Sequence, residues 1–372
     1  MRTIDRLVGT PLCKLLAVLA PLFSRAPQAN VVVLCKFFGL GSICLSYPLI
    51  CELKRQGKEV VYLTFRANLP MVQVLGVERC ISIDPTSPVR FCRDVLSAIG
   101  AMRRLRSAAF LNLEFFSRFA AILSVLSGAR CRAGFHMLHL PVGEMYSHRA
   151  NLNVYHTIAE NYLNVGEVSG LIAGSGKLDS YLSSFPYHPE KPAGVTPQGR
   201  YIVLNAQSSE TIQTLRSWPT DAWVRLIERL KVDYPGHHLL LIGTTSGDDL
   251  YRGIRQATKE DPKVIDCIGR TSFEQFAGLI AHAEIVVTVD SGPLHLSAFL
   301  GQKTVGLFGP ETPVLYGYDL PWVSNVHKNL MCSPCLAIYD AKKSVLDCQD
   351  NQCMKQITID QVMVEIDKLL RD

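Results

Sequence analysis

Charged residues are sparse in this sequence. Asp, Glu, Lys and Arg together make up 19% of the 372 residues, against 48% hydrophobic residues. Such a balance argues against an intrinsically disordered chain, which lacks the apolar residues for a packed core. Cysteine is also scarce, at 12 residues or about 3% of the chain, which argues against a disulfide-rich secreted scaffold. The length allows two or three domains of ordinary size.

No apolar run reaches the length of about 20 residues that a transmembrane helix needs. The apolar stretch from Leu7 to Phe23 is interrupted by Pro11, Lys14 and Pro21. Its leucines recur at helical spacing with basic residues around them. This pattern predicts either a membrane-interfacial helix within residues 1–28 or a helix packed on the first domain.

Positive charge is concentrated in the first half of the chain. Residues 1–190 contain 20 Lys and Arg against 12 Asp and Glu, a net of +8, and the remaining residues contain 18 against 21, a net of −3, which together give the overall +5. The asymmetry favours an acidic or membrane-surface partner for the first half. Because no arginine-rich arm accompanies it, we do not expect nucleic-acid binding.

From Asn30 onward, short β-branched runs alternate with longer helical patterns, which is typical of parallel sheets with crossover helices. The predicted strands are Val31–Cys35, Glu59–Phe65, Cys80–Ile83, Ala109–Leu113, Tyr201–Ala206, His238–Gly243, Val264–Ile268, Glu284–Asp290 and Lys303–Phe308. The fold class is α/β, with two Rossmann-like domains at 29–165 and 200–372 and a linker at 166–199. Ligands of such sheets bind outside the carboxyl ends of the strands, so we expect both domains to face a central cleft.

The densest chemical signal lies at the end of the Glu284–Asp290 strand. A turn at Ser291 and Gly292 opens a helix, so that backbone N–H groups, the helix dipole and a hydroxyl converge on one spot that suits a diphosphate. His295, one turn into the helix, could add a further donor. The residues alone also allow a simple capped helix, with Asp290 and Ser291 as capping residues.

This run, Asp290-Ser-Gly-Pro-Leu-His295, continues through Lys303-Thr-Val-Gly-Leu-Phe-Gly-Pro310-Glu-Thr-Pro, and it resembles glycosyltransferase family 9, the lipopolysaccharide heptosyltransferases. The resemblance implies a GT-B fold and an inverting, metal-independent transfer from a nucleotide-diphosphate sugar. By family default the donor is ADP-heptose, and the acceptor is a lipopolysaccharide-type or other glycolipid or saccharide. It also implies that Asp290, Ser291, Gly292 and His295 bind the donor phosphates.

The resemblance also implies roles for further residues near the donor and a cellular location for the protein. Arg216, two residues before Trp218-Pro219, stands where the family places a basic residue near the donor phosphates. A cation there would stabilise the leaving diphosphate more in the transition state than in the ground state, although an exposed arginine near a helix start is the alternative. Asp248 or Asp249 is expected to meet the donor ribose. We expect a cytoplasmic protein, peripheral on the inner face of the inner membrane.

The glycine-containing turn after the first strand differs from a dinucleotide-binding fingerprint, because Cys44 occupies the position of the third glycine. This argues against a dehydrogenase. The resemblance implies an aspartate general base at the position of Ser42. A serine hydroxyl cannot act as a base near neutral pH, so another carboxylate must do so or catalysis is impaired.

Glu114, just beyond the Ala109–Leu113 strand, is the predicted substitute base. The alternative is a helix N-terminal glutamate that stabilises the helix dipole. His156 and Glu160, one turn apart on a predicted helix over Asn151–Asn164, are a second choice.

Four cysteines, Cys332, Cys335, Cys348 and Cys353, form a compact group in the segment 332–353. Their spacing would allow a structural zinc ion, two disulfides or reduced thiols. Nothing marks the group as catalytic, and we expect no cofactor to be required for catalysis.

Two other functions stay open on the sequence alone. A non-catalytic sugar-nucleotide or membrane-surface binding protein could have kept this fold and lost its base, and the serine at position 42 supports that alternative. A sugar-nucleotide epimerase of similar fold would need no separate acceptor.

Overall fold

The computed structural model describes residues 5, 9–19, 29–105, 108–137, 140–208, 213–245, 248–337, 343–344, 348 and 350–371. The chain divides into two compact units, one built on Met1–Pro186 and the other on Tyr187–Ala337 and Lys343–Asp372. The division falls inside the predicted linker, which also contains the short helix Leu178–Leu182.

The first unit contains a parallel sheet of six strands in the order β3-β2-β1-β4-β5-β6. The strands are β1 (Val31–Cys35), β2 (Glu59–Phe65), β3 (Arg79–Ile83), β4 (Ala108–Asn112), β5 (Cys131–Phe135) and β6 (His148–Ala150). The prediction of the first four is confirmed within one residue at each end. It missed β5 and β6, because a run with arginine and glycine and a run of three residues lack the β-branched signal.

Helices cover this sheet and connect its strands. They are α1 (Gly9–Leu19), α2 (Leu40–Cys44), α3 (Tyr47–Arg55), α4 (Leu69–Val74), α5 (Pro88–Arg104), α6 (Arg118–Leu126), α7 (Ile158–Val168) and α8 (Leu178–Leu182), with 3₁₀ turns at Arg66–Asn68 and Gly143–Met145. The helix predicted at Asn151–Asn164 begins later, at Ile158, because Thr157 forms a capping box with Glu160 and fixes the start.

The second unit repeats the same topology, with strand order β12-β11-β10-β7-β8-β9. Its strands are β7 (Arg200–Asn205), β8 (His237–Leu241), β9 (Val264–Asp266), β10 (Ile285–Val289), β11 (Thr304–Phe308) and β12 (Val323–His327), followed by a small antiparallel pair of β13 (Leu336–Ala337) and β14 (Lys343–Ser344). Five of these strands were predicted, with ends that differ by up to two residues. The sequence analysis missed β12.

The helices of the second unit are α9 (Gln213–Arg216), α10 (Thr220–Asp233), α11 (Asp248–Thr258), α12 (Phe273–Ala281), α13 (Gly292–Phe299), α14 (Pro313–Tyr316), α15 (Gln352–Lys355) and α16 (Ile359–Arg371). The side chain of Ser272 accepts a hydrogen bond from the Gln275 N–H and caps α12. Trp218 and Trp223 lie edge to face in the core, with ring centroids 5.2 Å apart and almost no exposed surface.

Both sheets reverse their strand order next to the first strand of the unit. In the first unit the chain proceeds from β1 to β2 and β3 on one side and continues with β4 on the other side of β1. In the second unit β7 lies between β8 and β10 in the same way. Such reversals are the places where doubly wound sheets bind ligands, because the connections diverge there and leave a crevice.

Helix α1 packs against α6 of the first unit, with Cys13 fully buried. A Cβ atom at Gly9 would lie 2.9 Å from the Cβ of Arg118, so the two helices approach closely at their first turns. Among the helices that the structure describes, none is long and apolar enough to cross a bilayer.

We predict that Leu111→Ala destabilises the first unit far more than Leu96→Ala. Leu111 is fully buried in β4, whereas Leu96 is 71% exposed on α5. The buried substitution should cost about 2–5 kcal/mol and the exposed one less than about 0.5 kcal/mol. Urea unfolding followed by circular dichroism measures both free energies. Equal losses would contradict the placement of β4 in the centre of the core.

Candidate functional sites at the carboxyl ends of the two sheets

In the second unit, polar side chains from two neighbouring strands meet where the strand order reverses. Asn205 is the last residue of β7, and Ser291 follows β10. The Asn205 Nδ2 donates to the Ser291 Oγ at 2.9 Å and to the Thr288 Oγ1 at 3.0 Å. These bonds fix the turn between β10 and α13.

The N-terminus of α13 opens at this turn. Ser291 is its N-cap residue, with an extended backbone and no side-chain bond to the first turn of the helix, and Pro293 occupies the second helical position. Within the described residues, no group accepts a hydrogen bond from the N–H of Ser291 or Gly292. The positive end of the helix dipole is therefore available to an anion, as the sequence predicts.

Arg216 lies beside this turn, at the end of α9, and it is only 7% exposed. Its guanidinium donates to the carbonyl oxygen of Asp290 at 3.0 Å, lies 3.3 Å from the Asp290 carboxylate and donates to the Glu311 carboxylate at 2.7 Å. Burial alone would lower the pKa of Arg216, but the two carboxylates outweigh it and hold the pKa above its ordinary value. The structure therefore brings Arg216 to the predicted anion site, but with one positive charge shared between two negative ones.

Glu311 was not predicted as a site residue, although it stands inside the Gly-Pro-Glu-Thr-Pro run that carries the family resemblance. It is 1% exposed and follows β11, the neighbour of β10. The signal available in the sequence was a glutamate three residues after the end of a predicted buried strand, at the edge of the sheet where ligands bind.

His295 lies one turn into α13 and is buried. Its Nδ1 is 2.7 Å from the Tyr318 hydroxyl, and its Nε2 is 4.0 Å from the Asp290 carboxylate. The predicted association of Asp290, Ser291, Gly292 and His295 is thus present around one turn, and Tyr318 is an addition. Asp248 begins α11, but its side chain lies outside the described residues.

In the first unit, a buried ion pair occupies the corresponding crevice between β1 and β4. Lys36 directly follows β1, Glu114 lies two residues beyond β4, and the Lys36 Nζ is 3.0 Å from the Glu114 carboxylate, with side-chain exposures of 4% and 1%. The other carboxylate oxygen of Glu114 accepts hydrogen bonds from the N–H groups of Phe37 and Phe38, at 2.7 and 3.0 Å.

These contacts bear on both roles predicted for Glu114. It lies before α6, whose N-cap is Ser117, so it does not stabilise a helix dipole. Its two carboxylate oxygens contact Lys36 and two backbone N–H groups, and its side chain is only 1% exposed, so the role of general base stays a prediction. The geometry favours an anchoring role, in which Glu114 holds the turn after β1.

The turn after β1 leads into helix α2, which contains Ser42, the residue at the position where the family resemblance implies an aspartate. Gly39 has a φ of +85°, in the region that favours glycine, and its position lets α2 begin at Leu40. Ser42 is half-buried in the first turn of α2.

The second predicted acid-base pair is a helix cap. The Glu160 carboxylate accepts hydrogen bonds from the N–H and hydroxyl of Thr157, and His156 lies 3.6 Å away, with both side chains more than half exposed. A carboxylate used in this way fixes the start of α7.

Exposed arginines surround two carboxylates beyond the ends of β2 and β3. Asp84 and Asp94 are less than 10% exposed, whereas the side chains of Arg66, Arg90 and Arg93 are 53%, 60% and 68% exposed. Hydrogen bonds from Thr86, with Arg90 and Arg66 nearby, lower the pKa of Asp84 from 3.8 to about 2. The group carries a net charge of +1 and presents guanidinium groups to solvent at the carboxyl edge of the sheet.

The four cysteines of the segment 332–353 are free thiols of unequal burial: Cys332 is exposed, Cys348 is half-buried, and Cys335 and Cys353 are buried. Burial, with a contribution from Cys335, raises the pKa of Cys353 to about 11, so this thiol is protonated at neutral pH. In the part of the chain that the structure describes, no three His, Cys, Asp or Glu side chains are arranged to hold a metal ion. The predicted four-ligand set is therefore not assembled, and the zinc site stays a prediction.

Comparison with known proteins identifies the family of this chain. The profile of glycosyltransferase family 9 (heptosyltransferase) matches residues 120–346, more than half of the chain. The chain belongs to glycosyltransferase family 9. The lipooligosaccharide heptosyltransferase 2 of Campylobacter jejuni is 30% identical over 139 residues, which are 36% of this chain and 41% of that protein. The chain thus aligns with about two fifths of the length of this curated family 9 relative.

Solved structures extend the likeness to nearly the whole fold. An Escherichia coli heptosyltransferase with ADP-2-deoxy-2-fluoro heptose matches with a TM-score of 0.66 at 15% identity, over 91% of this chain and 99% of that one. A putative UDP-N-acetylglucosamine 2-epimerase from Listeria monocytogenes matches with a TM-score of 0.53 at 12% identity, over 92% of this chain and 91% of that one. At these identities the matches concern the fold, and they confirm the predicted α/β, GT-B class.

We predict that removing one member of the Lys36–Glu114 pair costs more stability than removing both. Lys36→Met leaves a buried carboxylate without its cation and should destabilise the family 9 protein by about 3–5 kcal/mol. The double variant Lys36→Met/Glu114→Gln should recover at least half of that loss in urea unfolding.

The exposed pair Arg79–Glu59, at 2.7 Å in the same sheet, is the matched control. Arg79→Met should cost no more than about 1 kcal/mol. If the double variant in the buried pair is as unstable as Lys36→Met, the charges of Lys36 and Glu114 do not compensate each other, and the assignment of a stabilising buried ion pair is wrong.

We predict that the contribution of Asp84 to stability disappears in acid. Because its pKa in the folded protein, about 2, lies below the ordinary value of 3.8, its stabilising effect is complete above about pH 4 and is lost as the pH falls towards 2. The melting temperature of Asp84→Asn should lie below that of the unsubstituted protein at pH 6, and the difference should shrink between pH 4 and pH 2.5. A difference that stays constant over this range would refute the cause given for the shift.

Proposed function

We propose that this protein is an inverting glycosyltransferase that moves a sugar from a nucleoside-diphosphate sugar to a saccharide acceptor of lipopolysaccharide type. The observation that carries the proposal is the open N-terminus of α13 beside Asn205, Arg216 and His295. Family membership makes heptose the expected sugar and ADP the expected nucleotide, as in the Escherichia coli relative whose structure contains an ADP-heptose analogue.

In this scheme the second unit binds the donor diphosphate. The N–H groups of Ser291 and Gly292, which have no acceptor among the described residues, would face the charge that develops when the sugar leaves. Because the charges of Asp290 and Glu311 together exceed that of Arg216, this scheme assigns the stabilisation to the helix end. We propose that Arg216 holds Asp290 in place beside it. The family resemblance implies transfer without a metal ion, and no metal ion enters this scheme.

The first unit is proposed to bind the acceptor. Its exposed arginines, Arg66, Arg90 and Arg93, suit an acceptor with carboxylate or phosphate groups, such as an anionic saccharide. The acceptor hydroxyl attacks the anomeric carbon on the face opposite the diphosphate, the bond from that carbon to the diphosphate oxygen breaks, and the configuration is inverted. The nucleoside diphosphate leaves with the electron pair of that bond, and the hydroxyl proton passes to water. We propose that Glu114 acts as a positioning residue for the turn that carries Ser42, while Ser42 hydrogen-bonds the acceptor.

The alternative of a non-catalytic binding protein rests on Ser42 and on the ion-paired state of Glu114. It is less well supported, because the family relationship points to a transferase. Release of ADP from ADP-heptose in the presence of delipidated lipopolysaccharide core oligosaccharides tests it. Nucleotide binding without any turnover across these acceptors would favour the alternative.

We predict that Ser291→Asp abolishes nucleotide binding and leaves the protein folded. Aspartate is a good N-cap, so α13 should still form, but its carboxylate would occupy the N–H groups and repel a diphosphate. ADP at about 100 times its dissociation constant should stabilise the unsubstituted protein by about 2.7 kcal/mol, seen as a rise in melting temperature, and should not stabilise the variant.

Ser272→Asp is the matched control, because Ser272 is the N-cap of α12 in the same unit. It should keep the full response to ADP. If Ser291→Asp responds as strongly as the control, the diphosphate does not bind at α13 and the donor site is elsewhere.

A further inference from the structure

Helix α1 is held to the first unit by one face, and Asp5, four residues before its start, contacts the same unit. Cys13 is fully buried, and Gly9 lies against the first turn of α6. The Asp5 carboxylate accepts a hydrogen bond from the N–H of Phe119 at 2.8 Å and lies 3.4 Å from the guanidinium of Arg118. The orientation of α1 on the unit is therefore fixed, and so is the face that it turns outward.

The outward face of α1 is apolar. Leu15 and Val18 are 63% and 74% exposed, and Leu12, at 36%, lies on their flank. At 100° per residue, positions 15 and 18 are 60° apart and form one outer line. A helix on a protein surface ordinarily turns polar residues to water, so this arrangement is the reverse of the usual one.

The charge around this line is positive. Helix α1 contains no Asp or Glu, and its one charged residue, Lys14, is exposed on the flank opposite Leu12. Residues 1–28 contain Arg2, Arg6, Lys14 and Arg25 against Asp5, a net of +3.

We propose that the outer line of α1, formed by Leu12, Leu15 and Val18, docks on the surface of an anionic phospholipid bilayer. The apolar side chains would enter the boundary between headgroups and acyl chains, and Lys14, on the flank of the line, would contact lipid phosphates. Basic residues with a few apolar anchors are what reversible binding to such a surface requires.

A second copy of the chain fits this surface less well. Pairing two outer lines would bring the two Lys14 side chains close to each other, which is repulsive. Three side chains also provide far less than the area of about 800 Å² per partner that a stable protein interface buries. The inference does not depend on the sugar donor or on transfer, so it stands or falls separately from the proposed function.

The test is co-sedimentation of the full chain with vesicles of phosphatidylcholine alone and of phosphatidylcholine with 30% phosphatidylglycerol, roughly the anionic fraction that binds polybasic surfaces. We expect binding to the anionic vesicles, weaker binding to the neutral ones, and release at high salt. Leu15→Ser/Val18→Ser should reduce the partition coefficient at least about tenfold, and Lys14→Glu about fivefold.

The control is Val232→Ser/Val364→Ser, which changes two apolar residues that are 75% and 62% exposed on α10 and α16 of the second unit. It should bind as the unsubstituted protein does, and melting temperatures should show that all variants fold. Absence of binding to the anionic vesicles, or equal binding by the α1 variant, would overturn the proposal. So would self-association that the α1 variant abolishes while vesicle binding stays unchanged, since the outer line would then join two copies.

Discussion

The functional geometry of this protein depends on one constraint of parallel sheets, which is that the carboxyl ends of neighbouring strands must open a crevice where the strand order reverses. Both units have the same order, so both have this crevice beside their first strand. The residues that follow the first strand of each unit, β1 or β7, therefore lie next to those that follow its neighbour across the reversal, β4 or β10. Lys36 and Glu114 meet in the first unit for this reason, and Asn205 and Ser291 meet in the second.

The two crevices are filled in opposite ways. In the first unit an ion pair closes the crevice, and its carboxylate binds the backbone of the next turn. In the second unit the helix end stays open, and the nearby arginine is engaged by Asp290 and Glu311. Of the two crevices, only that of the second unit is thus expected to hold an anion, because its backbone N–H groups lack the partner that Glu114 provides in the first.

The first unit presents a cationic surface beside a carboxylate that already has partners. Exposed guanidinium groups beyond β2 and β3 are held by two buried carboxylates, and the group keeps a net charge of +1. Such a surface suits an anionic ligand. Ser42 stands where the family resemblance implies an aspartate, and Glu114 is held in an ion pair with Lys36.

The amino-acid sequence determined the α/β class, nine of the strands and the turn at Asp290–His295 that opens helix α13. Each of these is a local pattern of apolar periodicity and turn residues. It could not reveal β5, β6 and β12, whose short or polar runs become strands only when a neighbouring strand supplies their hydrogen bonds. Nor could it distinguish a base from an anchor at Glu114, or find Glu311 beside Arg216. The partners of these carboxylates lie 76 to 95 residues away in the chain, and only tertiary packing decides which charges face each other.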